Sequence, residues 1–200
     1  MGGSEVKKRV IGLTGNSGSG KSSAAAYLGQ LGAHVIDVDR IAREQSDPGR
    51  PGWAAVKQAF GEGFFRADGS LDRHKLGEYV FSRPEELKRL NALLHPLVME
   101  EVRERMAAAG GTVVLDCALL IDTGLDSLAD EVWVVAAGRD SKLGRIKARD
   151  GISHEHAQNR LASQLDEKEL EKHADVVIEN NGTLDELKKR VREQFYGKSE

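Results

Sequence analysis

One junction limits this chain more than any other. A strand-like run, Val10-Ile11-Gly12-Leu13-Thr14, leads directly into Gly15-Asn16-Ser17-Gly18-Ser19-Gly20-Lys21-Ser22, and a helical pattern starts at once after it. Strand, glycine-rich turn and helix in that order make a loop whose consecutive N–H groups point inward, with the positive end of the helix dipole aimed at the same place. Such a concavity takes a polyphosphate. The spacing G-x-x-x-x-G-K-S then puts Lys21 within reach of the β- and γ-phosphates and the Ser22 hydroxyl on a magnesium ion. The residues expected to hold a nucleotide are therefore Gly15, Asn16, Ser17, Gly18, Ser19, Gly20, Lys21, Ser22 and Ser23.

Four more short apolar, β-branched runs follow, at Val35–Asp37, Thr112–Asp116, Val132–Ala136 and Val176–Ile178. Most lack polar alternation, the mark of strands covered on both faces, as in a parallel sheet. Helical stretches between them imply right-handed crossovers and hence an α/β, three-layer architecture around a five-stranded parallel sheet. The first helix is expected over Ser22–Leu31, ended by Gly32 in a left-handed cap. The last carries a capping box, Thr183 with Glu186, and places Leu184, Leu187, Val191 and Phe195 on one face predicted to pack on the sheet. Between Ile41 and Ala109 no strand-like run occurs, and turn clusters at 47–52 and 61–70 interrupt helical patterns, so a helical insertion is expected there. Within it Pro84 is read as opening a helix to His95 and Pro96 as opening the next, which Gly110-Gly111 ends. The expected boundaries are a core at about 8–40, 111–138 and 174–197, an insertion at about 41–110 and a lid at about 139–173.

Two hundred residues, 40% hydrophobic and with a net charge of −3, suit one such domain and give no general basic surface for nucleic acid. The single Cys117 cannot form an internal disulfide, and neither a long apolar run nor a signal-like start is present. A cytoplasmic protein with no membrane partner is expected, with Cys117 as a packing residue.

Three groups of residues carry chemistry. Asp37 and Asp39 close the second strand, where continued extended backbone would put both carboxylates on one side near the phosphate loop. One carboxylate there can orient or deprotonate an attacking hydroxyl, and another can hold Mg²⁺ through water. Asp116, ending the third strand, is a second candidate for the metal's water shell. After the fourth strand, Lys142, Arg145 and Arg149 recur at i, i+3 and i+7, a row of like charges better explained if phosphates arrive opposite them. With Arg160 and Gln164 they suggest a basic helical hairpin around Gly151 that closes over ATP. His154 and His156 lack further zinc-type ligands and read as surface residues. His95, before Pro96, reads equally as packing residue or substrate contact.

Assembled, these residues resemble the dephospho-CoA kinase family. The resemblance is carried by Gly12–Gly15 leading into Gly18–Ser22, by Val35–Asp39, by Asp68-Gly69 with Leu71-Asp72-Arg73, and by Leu90-Asn91 before His95-Pro96. It continues through Asp116 to Leu119-Leu120, Arg145 with Arg149-Asp150, Arg160 with Gln164, and Ala174–Gly182. It implies a P-loop kinase moving the γ-phosphoryl group of ATP, with Mg²⁺, to the ribose 3′-hydroxyl of dephospho-CoA. It further implies Asp39 as general base, Asp37 as its supporting carboxylate, and Lys21 and Arg145 on the transferring group. Asn180, Asn181 and Gly182 would line the adenine pocket, Arg149 would join the nucleotide contacts, and Arg73, His95, Leu119 and Arg160 would contact the acceptor. Ser22, Asp37 and Asp116 would serve the metal, in a monomer or weak homo-oligomer. The chain departs from the family pattern at Asn16-Ser17, at Lys142, where Gln is common, and at Asp122, where the family has the longer Glu. A regulatory GTPase is disfavoured, since neither D-x-x-G nor N-K-x-D occurs; a kinase of another small alcohol or nucleotide is the alternative.

Overall fold

The computed structural model describes residues 8–162, 164 and 166–197. The chain folds as two compact units, one built from the residues up to Ile36 together with those from Ala109 onward, the other from Asp37–Ala108.

The larger unit holds strands β1 (Arg9–Thr14), β2 (His34–Asp37, whose last residue already belongs to the smaller unit), β3 (Thr112–Asp116), β4 (Glu131–Ala136) and β5 (Val176–Glu179). They form one sheet in the order β2-β3-β1-β4-β5. β1 lies parallel to β3 and β4, with Ile11 opposite Val114 and Glu131, and β4 is parallel to β5. The apolar runs of the inner strands β1, β3 and β4 are buried almost throughout, as expected, whereas the edge strand β5 leaves Val177 exposed; Ile11, Leu13, Val114, Trp133, Val135 and Ile178 share one core. Against it lie helix α1 (Lys21–Gln30) through Ala24 and Leu28, and a C-terminal helix (Leu184–Tyr196) through Leu187 and Val191. Each large side chain so buried contributes about 1.5–3 kcal/mol. The Thr183–Glu186 capping box forms as predicted, but Leu184, in the first turn, is more than half exposed and takes no part in the packing face. The adjacent capping geometry holds that turn at the end of the helix, beyond the reach of the sheet.

The smaller unit is helical, with α2 (Val38–Glu44), α3 (Pro51–Phe60), α4 (Arg73–Phe81) and α5 (Pro84–Ala108). Val56, Leu71, Leu76 and Val80 form its core, ringed by Phe60, Phe64, Phe65 and Tyr79. Two expectations fail here. Pro96 does not start a new helix but sits inside α5, which runs unbroken for 25 residues; a proline costs the bond to the carbonyl four residues back, and packing of α5 against α2, α3 and α4 outweighs that loss. The extended backbone also stops at Asp37, so Val38 and Asp39 are already helical, and Asp37 and Asp39 do not alternate as strand residues.

After β4 come α6 (Arg139–Asp150), α7 (His154–Ala162) and α8 (Glu167–Lys172). Gly151, at φ +63, turns the chain from α6 to α7, and Leu143, Ile146 and Ala157 form a small core between them. The C-terminal helix above is α9. No helix among the described residues is long and apolar enough to cross a membrane.

Candidate active site

The phosphate loop owes its form to its glycines, Gly18 and Gly20 above all. Gly18 (φ +79) and Gly20 (φ +100) adopt backbone that side-chain-bearing residues avoid, and space forbids a Cβ at either. At Gly18 it would meet the Lys142 carbonyl oxygen at 2.7 Å, and at Gly20 the Asn180 amide nitrogen at 2.1 Å. Ser19 N–H closes a turn on Asn16 O (3.0 Å), while among the described residues the N–H groups of Gly18 and Gly20 meet no protein acceptor. They remain available for an anion, next to the N-terminus of α1. Lys21 Nζ lies 2.5 Å from Asp116 Oδ1, a largely buried pair at the carboxyl end of β3. Ser22 and Ser23 are exposed on the first turn of α1.

The end of β5 braces the loop from outside. Asn180 is buried and donates its side-chain amide to Ser19 O (2.7 Å), and Asn181 Oδ1 accepts from Gly138 N–H (2.7 Å). Gly182 is fixed by the cap of α9, since a Cβ there would strike the Glu186 carboxylate.

The row of cations on α6 is not a bare basic face. Lys142 is buried and its ammonium lies 2.9 Å from Glu167 Oε2, while Glu167 Oε1 accepts from Ala137 N–H (2.9 Å). Arg145 spreads its guanidinium over three carbonyls, Gly18 O (3.2 Å), Ser19 O (3.3 Å) and Asn180 O (2.9 Å). Arg149 binds Asp150 in a fork at 2.7 and 2.9 Å, with Ser17 Oγ at 3.5 Å, and Arg160 donates to the same carboxylate. The Arg149 bond, followed by the pull of Arg160, holds the Asp150 carboxyl down to about 2, and Arg149 in turn is raised. The expected repulsion is relieved by two acids: Glu167, 25 residues from Lys142, which no local spacing reveals, and Asp150, the immediate neighbour of Arg149. Gln164 is a further missed contact: its Oε1 accepts from Ser17 N–H at 2.8 Å. Beyond β3, Leu119 is exposed, Cys117 is buried as expected, and Asp122 is exposed on the turn. His154 and His156 are on the surface.

In the helical unit, Asp37 caps α2 by accepting from Arg40 N–H (2.8 Å), and Asp39 stands in the first turn of that helix. Arg73 reaches Asp47 (2.6 Å) and Arg43 O (2.8 Å). Among the described residues His95 Nε2 is buried without a hydrogen-bond partner, an unmet donor or acceptor in the middle of α5. Among the described residues no three His, Cys, Asp or Glu side chains gather as a metal cage.

The chain is similar to known proteins over most of its length. A family model described as dephospho-CoA kinase matches residues 9–186. A dephospho-CoA kinase of Geobacter sulfurreducens is 42% identical over 92% of this chain and 95% of its own length, and one of Streptomyces avermitilis is 45% identical over 90% and 89%. The crystal structure of TT1252 from Thermus thermophilus superposes with a TM-score of 0.85 at 34% identity, covering 96% of this chain and 98% of that one.

Proposed function

The chain belongs to the dephospho-CoA kinase family and has that activity, and from this premise we propose how its residues divide the work of moving the ATP γ-phosphoryl group to the ribose 3′-hydroxyl of dephospho-CoA. The observation that carries the assignment is the loop itself: two glycines that tolerate no Cβ, free N–H groups and Lys21 at the start of α1. Gly15 to Ser23 cradle the triphosphate, and Lys21 exchanges its Asp116 partner for the β- and γ-phosphates. Arg145, anchored on loop carbonyls, adds positive charge beside that cradle and keeps its shape; Arg149 extends the charge along α6. Asn180, Asn181 and Gly182 flank the adenine.

Asp37 spends one oxygen on the cap of α2, which suits a fixed, supporting carboxylate. Asp39 is the general base that takes the 3′-hydroxyl proton. Arg73, His95, Leu119 and Arg160 contact the acceptor. Ser22, Asp37 and Asp116 offer hard oxygen donors that fit Mg²⁺, an ion that keeps water and phosphate ligands and asks few of the protein. Bound there, it neutralises phosphate charge. The helical unit is the acceptor-binding part and the segment at about 139–173 the lid. The lone, buried Cys117 supports a reducing, cytoplasmic setting.

The test is an acceptor panel of dephospho-CoA, adenosine, AMP, pantetheine and shikimate, followed by ADP release. Turnover with dephospho-CoA well above the others is expected, and equal turnover with shikimate would overturn the acceptor. In the same assay Asp39→Asn should lower kcat by about 10²–10⁴ while ATP affinity stays within about twofold. Unchanged turnover would remove Asp39 from the base role.

A further inference from the structure

A single backbone donor of the phosphate loop, Ser17 N–H, is held by a side chain of the lid segment. Its acceptor, Gln164 Oε1, belongs to the turn after α7, where Gln164 N–H bonds Leu161 O (3.3 Å). Gln164 also lines a cleft of about 350 Å³ together with Asn16, Lys142 and Glu167. The far side of that cleft is rigid, because Glu167 joins Lys142 to the backbone at Ala137.

The chemistry of a carboxamide makes this contact more than a brace. Ser17 N–H belongs to a loop whose amides call for an acceptor, and Gln supplies one without charge. A carboxylate would accept as well but would set a negative group against a triphosphate. Once Oε1 is docked, the orientation of the amide is fixed, because a flipped side chain would place donor against donor. Its Nε2 then has two hydrogens to give, and it has no partner among the described residues. The amides at the helix start serve the inner phosphates. The strand-side arm of the loop, where Gln164 already holds Ser17 N–H, is left beside the outermost one.

We propose that Gln164 is a positioning residue that reads the γ-phosphate: Oε1 stays on Ser17 N–H while Nε2 donates to a γ-phosphoryl oxygen of ATP. The lid segment is thereby fastened by the triphosphate and not by the diphosphate product. This rests on the kinase reading given above, and deepens it by naming a side chain that distinguishes substrate nucleotide from product nucleotide.

The experiment measures the affinities of wild type, Gln164→Ala and Gln164→Glu for ADP and for the non-hydrolysable AMP-PNP, both with Mg²⁺, and kcat with dephospho-CoA. For Gln164→Ala, AMP-PNP should bind about tenfold more weakly while ADP binding stays within about twofold, and kcat should fall by about tenfold or more. Gln164→Glu keeps the acceptor but loses the donors, and should bind AMP-PNP more weakly still. Retained ADP affinity shows that the variants are folded. Equal weakening for both nucleotides would mean that the bond merely shapes the loop, and tighter binding of both would mean that Gln164 blocks it; either result overturns the proposal. Absence of turnover by the wild type would sink the kinase reading instead, a separate outcome.

Discussion

The phosphate loop and the α6–α7 hairpin are both rich in features that announce phosphate binding, yet they are built in opposite ways. The loop takes its path from its own backbone: Gly18 and Gly20 adopt positive φ, and the Lys142 carbonyl and Asn180 amide then leave no room for anything larger. The hairpin leans on distant partners: Lys142 answers to Glu167 and Arg145 to the carbonyls of residues 18, 19 and 180, while Asp150, beside Arg149 in the chain, ties that arginine to Arg160. The contrast teaches that a sequence displays charge but not its availability. Three cations in a row on a helix are an open phosphate site only when no acid has claimed them.

The sharpest way to break the contrast is to damage the loop at one atom. Gly20→Ala forces a Cβ to within 2.1 Å of Asn180 Nδ2 and into backbone that alanine resists. Backbone strain costs about 1–3 kcal/mol, and the Asn180 bond to Ser19 O, once broken, leaves a buried group unpaired at about 1–3 kcal/mol more. ATP affinity should fall by about a hundredfold in a titration. A loss under about threefold would show that the loop is held by its partners and not by its glycines.

Next in size is the long-range side. Glu167→Gln keeps an acceptor for Ala137 N–H but removes the anion facing a buried ammonium. The Glu167 side chain is partly exposed, so the cost is about 1–3 kcal/mol, below that of a fully buried pair. For a chain of this size this is a drop in Tm of about 5 °C. In a double-mutant cycle with Lys142→Met, the second substitution should recover most of the loss, because no charge is then left unpaired. Strict additivity would detach the two residues from one another.

How much could be read in advance follows the same division. The five strands, the first helix, the Thr183–Glu186 box and the burial of Cys117 were legible because each depends on neighbours within a few residues. So was the loop, whose spacing is its geometry. Pro96 misled because helix propensity is local whereas the support of α5 by three other helices is tertiary. Asp37 and Asp39 misled for a related reason: strand alternation ends where the Asp37 side chain caps a helix, and a cap and a strand end are written with the same residue. Gln164 and Asn180 are singled out but not their partners, and Glu167 not at all, since those partners lie 147, 161 and 25 residues away.

The smallest effect tests whether the hairpin's ion pairs are electrostatic at all. Asp150 joins α6 to α7 through Arg149 and Arg160, and its carboxyl is lowered from an ordinary value of 3.8 to about 2, first by the Arg149 bond. A group whose folded value is depressed contributes stability that is fully present above its unfolded value and is lost as pH falls toward the folded one. The contribution of Asp150 should therefore be constant above about pH 5 and fade between about pH 4 and pH 2. Both arginines are exposed and the carboxylate is partly so, so the amount is small and salt reduces it further. Asp150→Asn measured beside the wild type isolates it: the Tm gap between the two should be steady near neutrality and close as the pH drops through the window. A gap that persists to about pH 2 would mean that Asp150 holds the turn by hydrogen-bond shape alone, and the hairpin would then resemble the phosphate loop after all, set by local geometry and not by distant charge.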